Sequence, residues 1–180
     1  MASRSMVVRI ANSDDVLQLA EIHVRTWQAA YMELMPREFL ESLNFDEFAQ
    51  RWTKIVGDQQ ETSRMTFVAD NGNRVVGFVS VGPSRDKGAD TSIGEIRAIY
   101  VVPESWSTGT GRALMACALE FLCDRGYTAA TLWVLRENTR ARKFYENAGM
   151  KFDGAVKIDT RFGSDMHEVR YHIGLPLKKL

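Results

Sequence analysis

The chain has 180 residues, which suits one domain with its own core, and lysine plus arginine equals aspartate plus glutamate at 23 each. This balance gives no electrostatic bias toward nucleic acid or an anionic membrane. No apolar run reaches the roughly 20 residues of a membrane span, and the amino-terminal segment lacks the apolar core of a signal peptide, so we expect a single soluble domain over residues 1–180.

The first half of the chain predicts a strand, several helices and a hairpin. A strand over Val7–Ile10 is followed by residues 13–15, which supply an N-cap and an acidic first turn to an amphipathic helix. After Pro36, the segments REFLESL and FDEFAQRWTKIV predict one or two further helices. MTFVAD and RVVGFVSVG predict two strands joined by a tight turn at residues 71–73.

The second half alternates strands with helices. IGEIRAIYVV predicts a strand, and a helix over residues 111–125 ends at Gly126. TAATLWVL predicts the next strand, and NTRARKFYENA a helix that ends at Gly149. MKFDGAVKIDTRF and MHEVRYHIGL predict two final strands joined through residues 163–165. This order implies a mixed α/β fold with one sheet and helices on both of its faces.

Both cysteines, Cys117 and Cys123, fall in the same predicted helix. Six residues correspond to about 600° of helical rotation, so the two thiols point to different faces and cannot pair. Two unpaired thiols are typical of a reducing compartment, and we therefore expect a cytoplasmic protein.

A loop of small residues, STGTG at positions 107–111, separates a strand from a helix. Glycines let a backbone approach a ligand closely, and the free amides of a helix start favour a phosphate group. A plain tight turn is the alternative. A nucleotide-binding P-loop is excluded because Arg112 stands where it requires lysine, and a dinucleotide motif because Leu114 stands where it requires glycine.

Two segments resemble the GNAT superfamily of N-acetyltransferases. VVPESWSTGTGRALM is similar to its acyl-CoA-binding loop, [QR]-x-x-G-x-[GA], with Gly109 and Gly111 at the small positions. Trp106 stands at the [QR] position, and we expect its side chain to lie outward. ENTRARKFYENAGMKFDG is similar to the family's N-x-x-A-x-x-F-Y-x-x-x-G-F segment, although Met150 stands where phenylalanine is common. The matching residues are Asn138, Ala141, Phe144, Tyr145 and Gly149.

The resemblance implies a single GNAT domain whose sheet of about seven strands has splayed fourth and fifth strands. It implies acetyl-CoA as the donor, with its pantetheine arm along the fourth strand and its pyrophosphate on the loop amides. A splayed strand exposes backbone groups that the arm can satisfy. The residues so assigned to the coenzyme are Ile99, Tyr100, Val101, Trp106, Ser107, Thr108, Gly109, Thr110, Gly111, Arg112 and Asn138.

Tyr145 resembles the family's general acid, which returns a proton to the departing thiolate; the alternative is an aromatic wall beneath the sulfur. Glu95 is the candidate base because a carboxylate is unusual inside an apolar strand; the alternative is an ion pair on a solvated face. Strict alternation places Glu95 and Arg97 on one face and Tyr100 on the other. The amide of Val101 or its neighbour could polarise the acetyl carbonyl.

Other candidates carry two interpretations each. Asn138 opens a helix, so it caps that helix, contacts the coenzyme, or does both. Arg140 and Arg142 could reach the coenzyme phosphates, although such residues more often form a solvated face.

The acceptor pocket is assigned to His23, Trp27 and Tyr31, which share one helix face in a region that the family places beside the acceptor. This aromatic stripe belongs either to the hydrophobic core or to a binding pocket, and in a pocket its rings could stack over a cationic amine. With His167 and His172, His23 forms no ligand set of metal-binding spacing, so we expect no metal.

These observations predict an N-acetyltransferase that moves acetyl from acetyl-CoA to a primary amine of a small molecule or peptide. Attack is expected to be direct, within a ternary complex, because no cysteine lies at the predicted catalytic positions. A coenzyme-binding sensor without turnover and a protein acetyltransferase remain as alternatives. Dimers are common in the family, so the resemblance leaves a homodimer open.

Overall fold

The computed structural model describes residues 6–160 and 165–175, and its elements follow the predicted order. The segment after Pro36 forms two helices. The turn between the last two strands lies largely outside the described residues. The strands are β1 Val7–Ile10, β2 Met65–Asp70, β3 Val75–Pro83, β4 Ile93–Val101, β5 Ala129–Leu135, β6 Lys151–Asp159 and β7 Met166–Gly174. The helices are α1 Val16–Ala30, α2 Arg37–Glu41, α3 Phe45–Gly57, α4 Thr110–Asp124 and α5 Thr139–Asn147.

The start of α1 differs from the prediction by a few residues. Residues 13–15 form a short 3₁₀ turn, and the cap is Asn12, whose side chain accepts from the Asp14 amide. The Asp15 carboxylate accepts from the Asn12 amide in return, which completes a capping box. Asp15 also binds Arg9 of β1 at 2.7 Å, so the cap joins the first helix to the sheet.

All seven strands form one mixed sheet in the order β1-β2-β3-β4-β5-β7-β6. Only the β4–β5 pair is parallel among the described strands. Helices α1 and α3 cover one face, where Phe78 of β3 lies 4.7 Å from the Trp52 ring. Helix α4 covers the other face, where its leucines pack against Gly77 and Gly94, and α5 lies beside it. Within residues 6–160 and 165–175, every helix is too short or too polar to cross a bilayer.

Strands β4 and β5 diverge after a short contact, as the predicted splay requires. They pair only over Ile93–Glu95 of β4 and Ala129–Thr131 of β5 in the described chain. From Ile96 to Val101, β4 keeps its partner β3 on one side and leaves β5 on the other. The backbone groups that point toward β5 therefore form an open edge inside the sheet.

A bulge in β4 corrects the predicted facing of its side chains. The β3–β4 register runs regularly to Ser80–Ala98 and then shifts to Val81–Ile96, so Arg97 is an extra residue on β4. A bulge shifts the alternation by one position. Glu95 and Tyr100 therefore share the face of α1 and α3, although strict alternation places them on opposite faces.

Candidate functional site

The glycine loop ends on helix α4, which begins at Thr110. Gly109 occupies the N-cap position with φ +92°, a left-handed conformation that favours glycine. At Gly111, an added Cβ would lie 3.3 Å from the Phe144 ring of α5. Each glycine thus has a structural reason beyond ligand approach. The first-turn amides of α4 have no intrahelical partners and remain a site for an anion.

The side chains of the loop are held locally. The Thr108 hydroxyl donates to the Ser105 carbonyl at 2.8 Å and lies 2.9 Å from the hydroxyl of the buried Thr110. Ser107 adopts φ +62°, and Arg112 is exposed on the first turn of α4. The loop therefore has a defined backbone without a side-chain cap on α4.

Trp106 points inward, which corrects the expectation that its side chain lies outward. Its indole N–H donates to the Val101 carbonyl at 2.6 Å, at the open edge of β4. The Thr26 hydroxyl reaches the same carbonyl at 3.4 Å. The Arg140 guanidinium covers the indole ring at 3.3 Å, and its burial lowers the pKa of Arg140. Trp106 therefore connects the loop, α5 and the strand edge.

The start of α5 shows which of its polar residues are structural. Asn138 accepts from the Ala141 amide at 3.0 Å, so its capping role is confirmed, while coenzyme contact stays a prediction. Arg142 donates to the Tyr171 hydroxyl and to the Arg136 carbonyl, so it braces α5 against β7. A groove of about 290 Å³ lies between the end of α1 and the start of α5, where no sequence motif predicts one. Its lining residues include Ala30, Met32, Glu33, Asn138 and Arg140.

Three phenols meet near the open edge of β4. Burial raises the pKa of Tyr145 from α5, and the nearby Tyr100 adds to the rise. Burial also raises the pKa of Tyr100 to about 12, against the opposing effect of hydrogen bonds from Trp27 and Tyr31. The phenol of Tyr31 is likewise held protonated by burial, which raises its pKa. All three hydroxyls therefore stay protonated at neutral pH.

The aromatic stripe of α1 is half-buried and continues into a larger cluster. His23 lies 5.5 Å from Trp27, and Trp27 lies 5.4 Å from Tyr31. His23 also lies 4.3 Å from Phe48 and 5.0 Å from Tyr100, so the stripe reaches the face of β4. The three residues thus belong to an aromatic cluster that borders the predicted coenzyme strand, and their role in an acceptor pocket stays a prediction.

The imidazole of His23 is neutral in this setting. Burial, with help from the positive charges of Arg51 and Arg64, lowers its pKa to about 3. Its Nδ1 is buried without a hydrogen-bond partner in the described part of the chain. Among residues 6–160 and 165–175, no three histidine, cysteine, aspartate or glutamate side chains gather in a metal-binding arrangement.

Glu95 is buried, with 3% of its surface exposed, and is held by Arg85. The Arg85 amide donates to the carboxylate at 2.9 Å, and its guanidinium donates at 2.5 to 3.2 Å. Arg97 bonds the Pro83 carbonyl at 2.9 Å instead. The partner of Glu95 thus comes from the β3–β4 loop, which no motif had identified.

The sequence of this chain is similar to those of known acetyltransferases. The profile of the Acetyltransferase (GNAT) family matches residues 16–150. The N-acetyltransferase YuaI of Bacillus subtilis, described as uncharacterised, is 37% identical over 136 residues, which cover 74% of this chain and 73% of YuaI.

Solved structures share the fold. PaiA N-acetyltransferase of Thermoplasma acidophilum, solved with coenzyme A, superposes with a TM-score of 0.77 at 20% identity, over 94% of this chain and 99% of that one. YncA of Salmonella typhimurium, solved with acetyl-CoA, gives 0.73 at 17% identity, over 98% and 97% of the two chains. From the profile match and the bacterial relative, the chain belongs to the acetyltransferase (GNAT) family.

Proposed function

We propose that the protein transfers an acetyl group from acetyl-CoA to a primary amine by direct attack within a ternary complex. The observation that carries the proposal is the open edge of β4 beside the free amides of α4. One offers hydrogen bonds to an extended amide-containing arm, and the other offers a positive dipole end to a pyrophosphate.

The orientation of Val101 supports this use of the edge. The Val102 amide bonds Val76 of β3 at 2.9 Å, so the neighbouring amide and carbonyl of Val101 point away from β3. Since the Val101 carbonyl already accepts from Trp106 on the open side, the Val101 amide faces the same opening. An amide there can donate to the acetyl carbonyl oxygen as negative charge develops on it.

Chemically, the amine nitrogen attacks the thioester carbonyl, the carbon–sulfur bond breaks, and the thiolate takes a proton. Tyr145 is the proposed proton donor because its phenol is buried near Tyr100 and stays protonated. No covalent acetyl-enzyme is needed, since Cys117 and Cys123 lie along α4 rather than at its start.

Glu95 is the proposed base for the acceptor ammonium, acting through a water molecule. An ionised carboxylate offers about four acceptor positions, and three Arg85 donors occupy most of them. One position is left for water. Replacing Glu95 with glutamine should lower kcat, because the amide cannot take up the proton of the acceptor ammonium. An unchanged rate of thiol release would assign the base to another group.

The decisive test combines binding with turnover. Acetyl-CoA should raise the melting temperature, because a ligand of the native state alone must do so. A panel of primary amines should then release free thiol from acetyl-CoA. A melting temperature unmoved by millimolar acetyl-CoA would contradict the donor. A shift without thiol release on any amine would favour a sensor that binds the coenzyme without turnover.

A further inference from the structure

Several arginines surround a single carboxylate on the face of the sheet that α1 and α3 cover. Arg64, Arg85 and Arg97 lie close enough to influence one another electrostatically, and the charge of Arg51 also acts on Arg64. Among the described residues that act on this group, Glu95 is the carboxylate, and it already forms an ion pair with Arg85 at 2.5 Å. The charges of Arg64 and Arg97 are therefore in excess.

Arg64 and Arg97 are half-buried and held in place. The Arg64 Nε donates to the Ser80 hydroxyl at 2.9 Å, and its guanidinium lies 5.9 Å from the Trp52 ring centroid. Arg97 packs over Gly82, where an added Cβ would lie 3.0 Å from its Nη2. The side chain thus occupies space that the glycine leaves open.

The charge of this pair is incompletely satisfied. The buried Nε of Arg97 has no hydrogen-bond partner in the described chain. Burial lowers the pKa of Arg64 to about 10, and the neighbouring Arg97 and Arg85 lower it further against the effect of Glu95. Burial lowers the pKa of Arg97 in the same way, with Arg85 contributing. Buried donors without acceptors are costly. A bound anion would give the Arg97 Nε an acceptor and would stabilise the charged form of both arginines.

The location connects this pair with the proposed reaction. Arg97 is the bulged residue of β4, two positions beyond the last pair with β5. The positive charge of Arg64 helps to lower the pKa of His23, and the His23 ring lies 5.0 Å from the ring of Tyr100 on β4. The backbone of Arg97 therefore lies just past the point where β4 and β5 part. Its guanidinium lies over Gly82 of β3, on the sheet face that also carries Glu95 and the aromatic cluster.

We propose that the acceptor amine carries an anionic group, a carboxylate or a phosphate, which Arg64 and Arg97 bind while the amine faces the opening of β4. The inference rests on the proposed function and names the class of its acceptor. Two forked guanidinium groups match the geometry of either oxyanion. A purely structural role would be served by the bonds to Ser80 and Pro83 and would not select for substrate charge.

Matched pairs of amines test the inference by thiol release. One pair is an α-amino acid and its decarboxylated amine, and the other is an aminoalkyl phosphate and its amino alcohol. We expect kcat/KM to be at least about tenfold higher for the anionic member of a pair, as a charge-assisted hydrogen bond implies. The pair with the larger ratio identifies the anion as carboxylate or phosphate.

Two variants assign the preference to residues. Arg97→Met and Arg64→Met should each lower kcat/KM for the anionic member by about tenfold to a hundredfold and leave the neutral member nearly unchanged. Arg97→Lys should recover part of the loss. Arg74→Met is the matched control, because this exposed arginine precedes β3 about 20 Å from Ser80 along the strand. The acetyl-CoA shift in melting temperature verifies that each variant is folded.

Equal rates for both members of each pair would overturn the inference and leave the proposed function standing. A variant that slows both members equally would also overturn it, since that result indicates a structural role. If no amine releases thiol although acetyl-CoA binds, the proposed function fails and the acceptor inference fails with it.

Discussion

Strand β4 separates two regions that are built in different ways. On its α4 side, the candidate donor region consists mainly of backbone: an open strand edge, a loop and the first turn of a helix. On its α1 side, the candidate acceptor region consists of side chains, with Tyr100 and His23 beside Arg64 and Arg97. The geometry of the donor region is set by the path of the backbone, and the geometry of the acceptor region is set by contacts between side chains.

This difference indicates where specificity resides. Backbone amides can bind the same coenzyme with different side chains around them, so we expect the candidate donor region to tolerate tryptophan at position 106. The acceptor region can change its ligand by a single side chain, because each charge or ring contributes separately. We expect variants on the α4 side to act on coenzyme binding and stability, and variants on the α1 side to act on acceptor choice.

Tyr145→Phe should produce the largest effect, because the role proposed for Tyr145 on the donor side depends on its side-chain hydroxyl. Loss of the proposed acid should lower kcat by about 10²- to 10⁴-fold, while coenzyme affinity changes little because the ring is kept. Steady-state thiol release and the acetyl-CoA shift in melting temperature measure the two effects.

Tyr171→Phe is the matched control for this variant. Tyr171 is a buried phenol 6.2 Å from Tyr145 by ring centroids, and its hydroxyl bonds Glu146 and Arg142. Its loss should lower the free energy of unfolding by about 1 kcal/mol and leave kcat unchanged. Full turnover in Tyr145→Phe would contradict the acid role. Tyr145 would then be an aromatic ring that packs beneath the coenzyme sulfur.

The second prediction concerns acid sensitivity on the acceptor side. In the unfolded chain His23 takes up a proton near its ordinary pKa of 6.5, whereas in the folded protein its pKa is about 3. Between these values the unfolded state binds the extra proton, so stability falls as pH falls. This histidine should contribute up to about 1.4 kcal/mol per pH unit to the loss.

His23→Phe should remove that contribution, because phenylalanine keeps the ring contacts with Phe48 and Tyr100 but does not titrate. Urea unfolding at pH 7.5, 6.0 and 5.0 measures how steeply the free energy of unfolding changes with pH. Above pH 6.5 the free energies of unfolding of the two proteins should differ by a constant amount. Parallel slopes below pH 6.5 would show that the imidazole is solvated rather than buried.

The sequence predicted the backbone of the candidate donor region better than the side-chain contacts of the candidate acceptor region, for a physical reason. Gly109 and Asn138 reveal the donor side because local backbone geometry requires these residue types at fixed positions. The bulge at Arg97 left no such signal, since any residue can occupy it, and it reversed the facing of half the strand. Arg85 was missed because its partner Glu95 lies ten residues away, across a loop that no pattern describes.

Gly109→Ala is the third prediction and isolates backbone strain on the donor side. No atom lies within 4 Å of an added Cβ, so the cost comes from φ +92° alone. We expect about 1–2 kcal/mol less free energy of unfolding. Gly109→Asn should recover part of the loss, because asparagine tolerates the left-handed region. Equal losses in the two variants would mean that the loop is not held in this conformation.

The smallest effect is expected at Trp106, where a side chain intrudes on the backbone region. Trp106→Phe removes the indole N–H from the Val101 carbonyl and should lower the free energy of unfolding by about 1 kcal/mol. The carbonyl then keeps only the long 3.4 Å contact with the Thr26 hydroxyl, so an amide of the coenzyme arm can donate a stronger bond to it. Acetyl-CoA should therefore raise the melting temperature more in this variant than in the wild type, with coenzyme affinity higher by about threefold, roughly half of one hydrogen bond. Isothermal titration calorimetry measures the affinity. An affinity unchanged or lowered would mean that the arm does not use this carbonyl, and that Trp106 completes the donor region instead of competing for it.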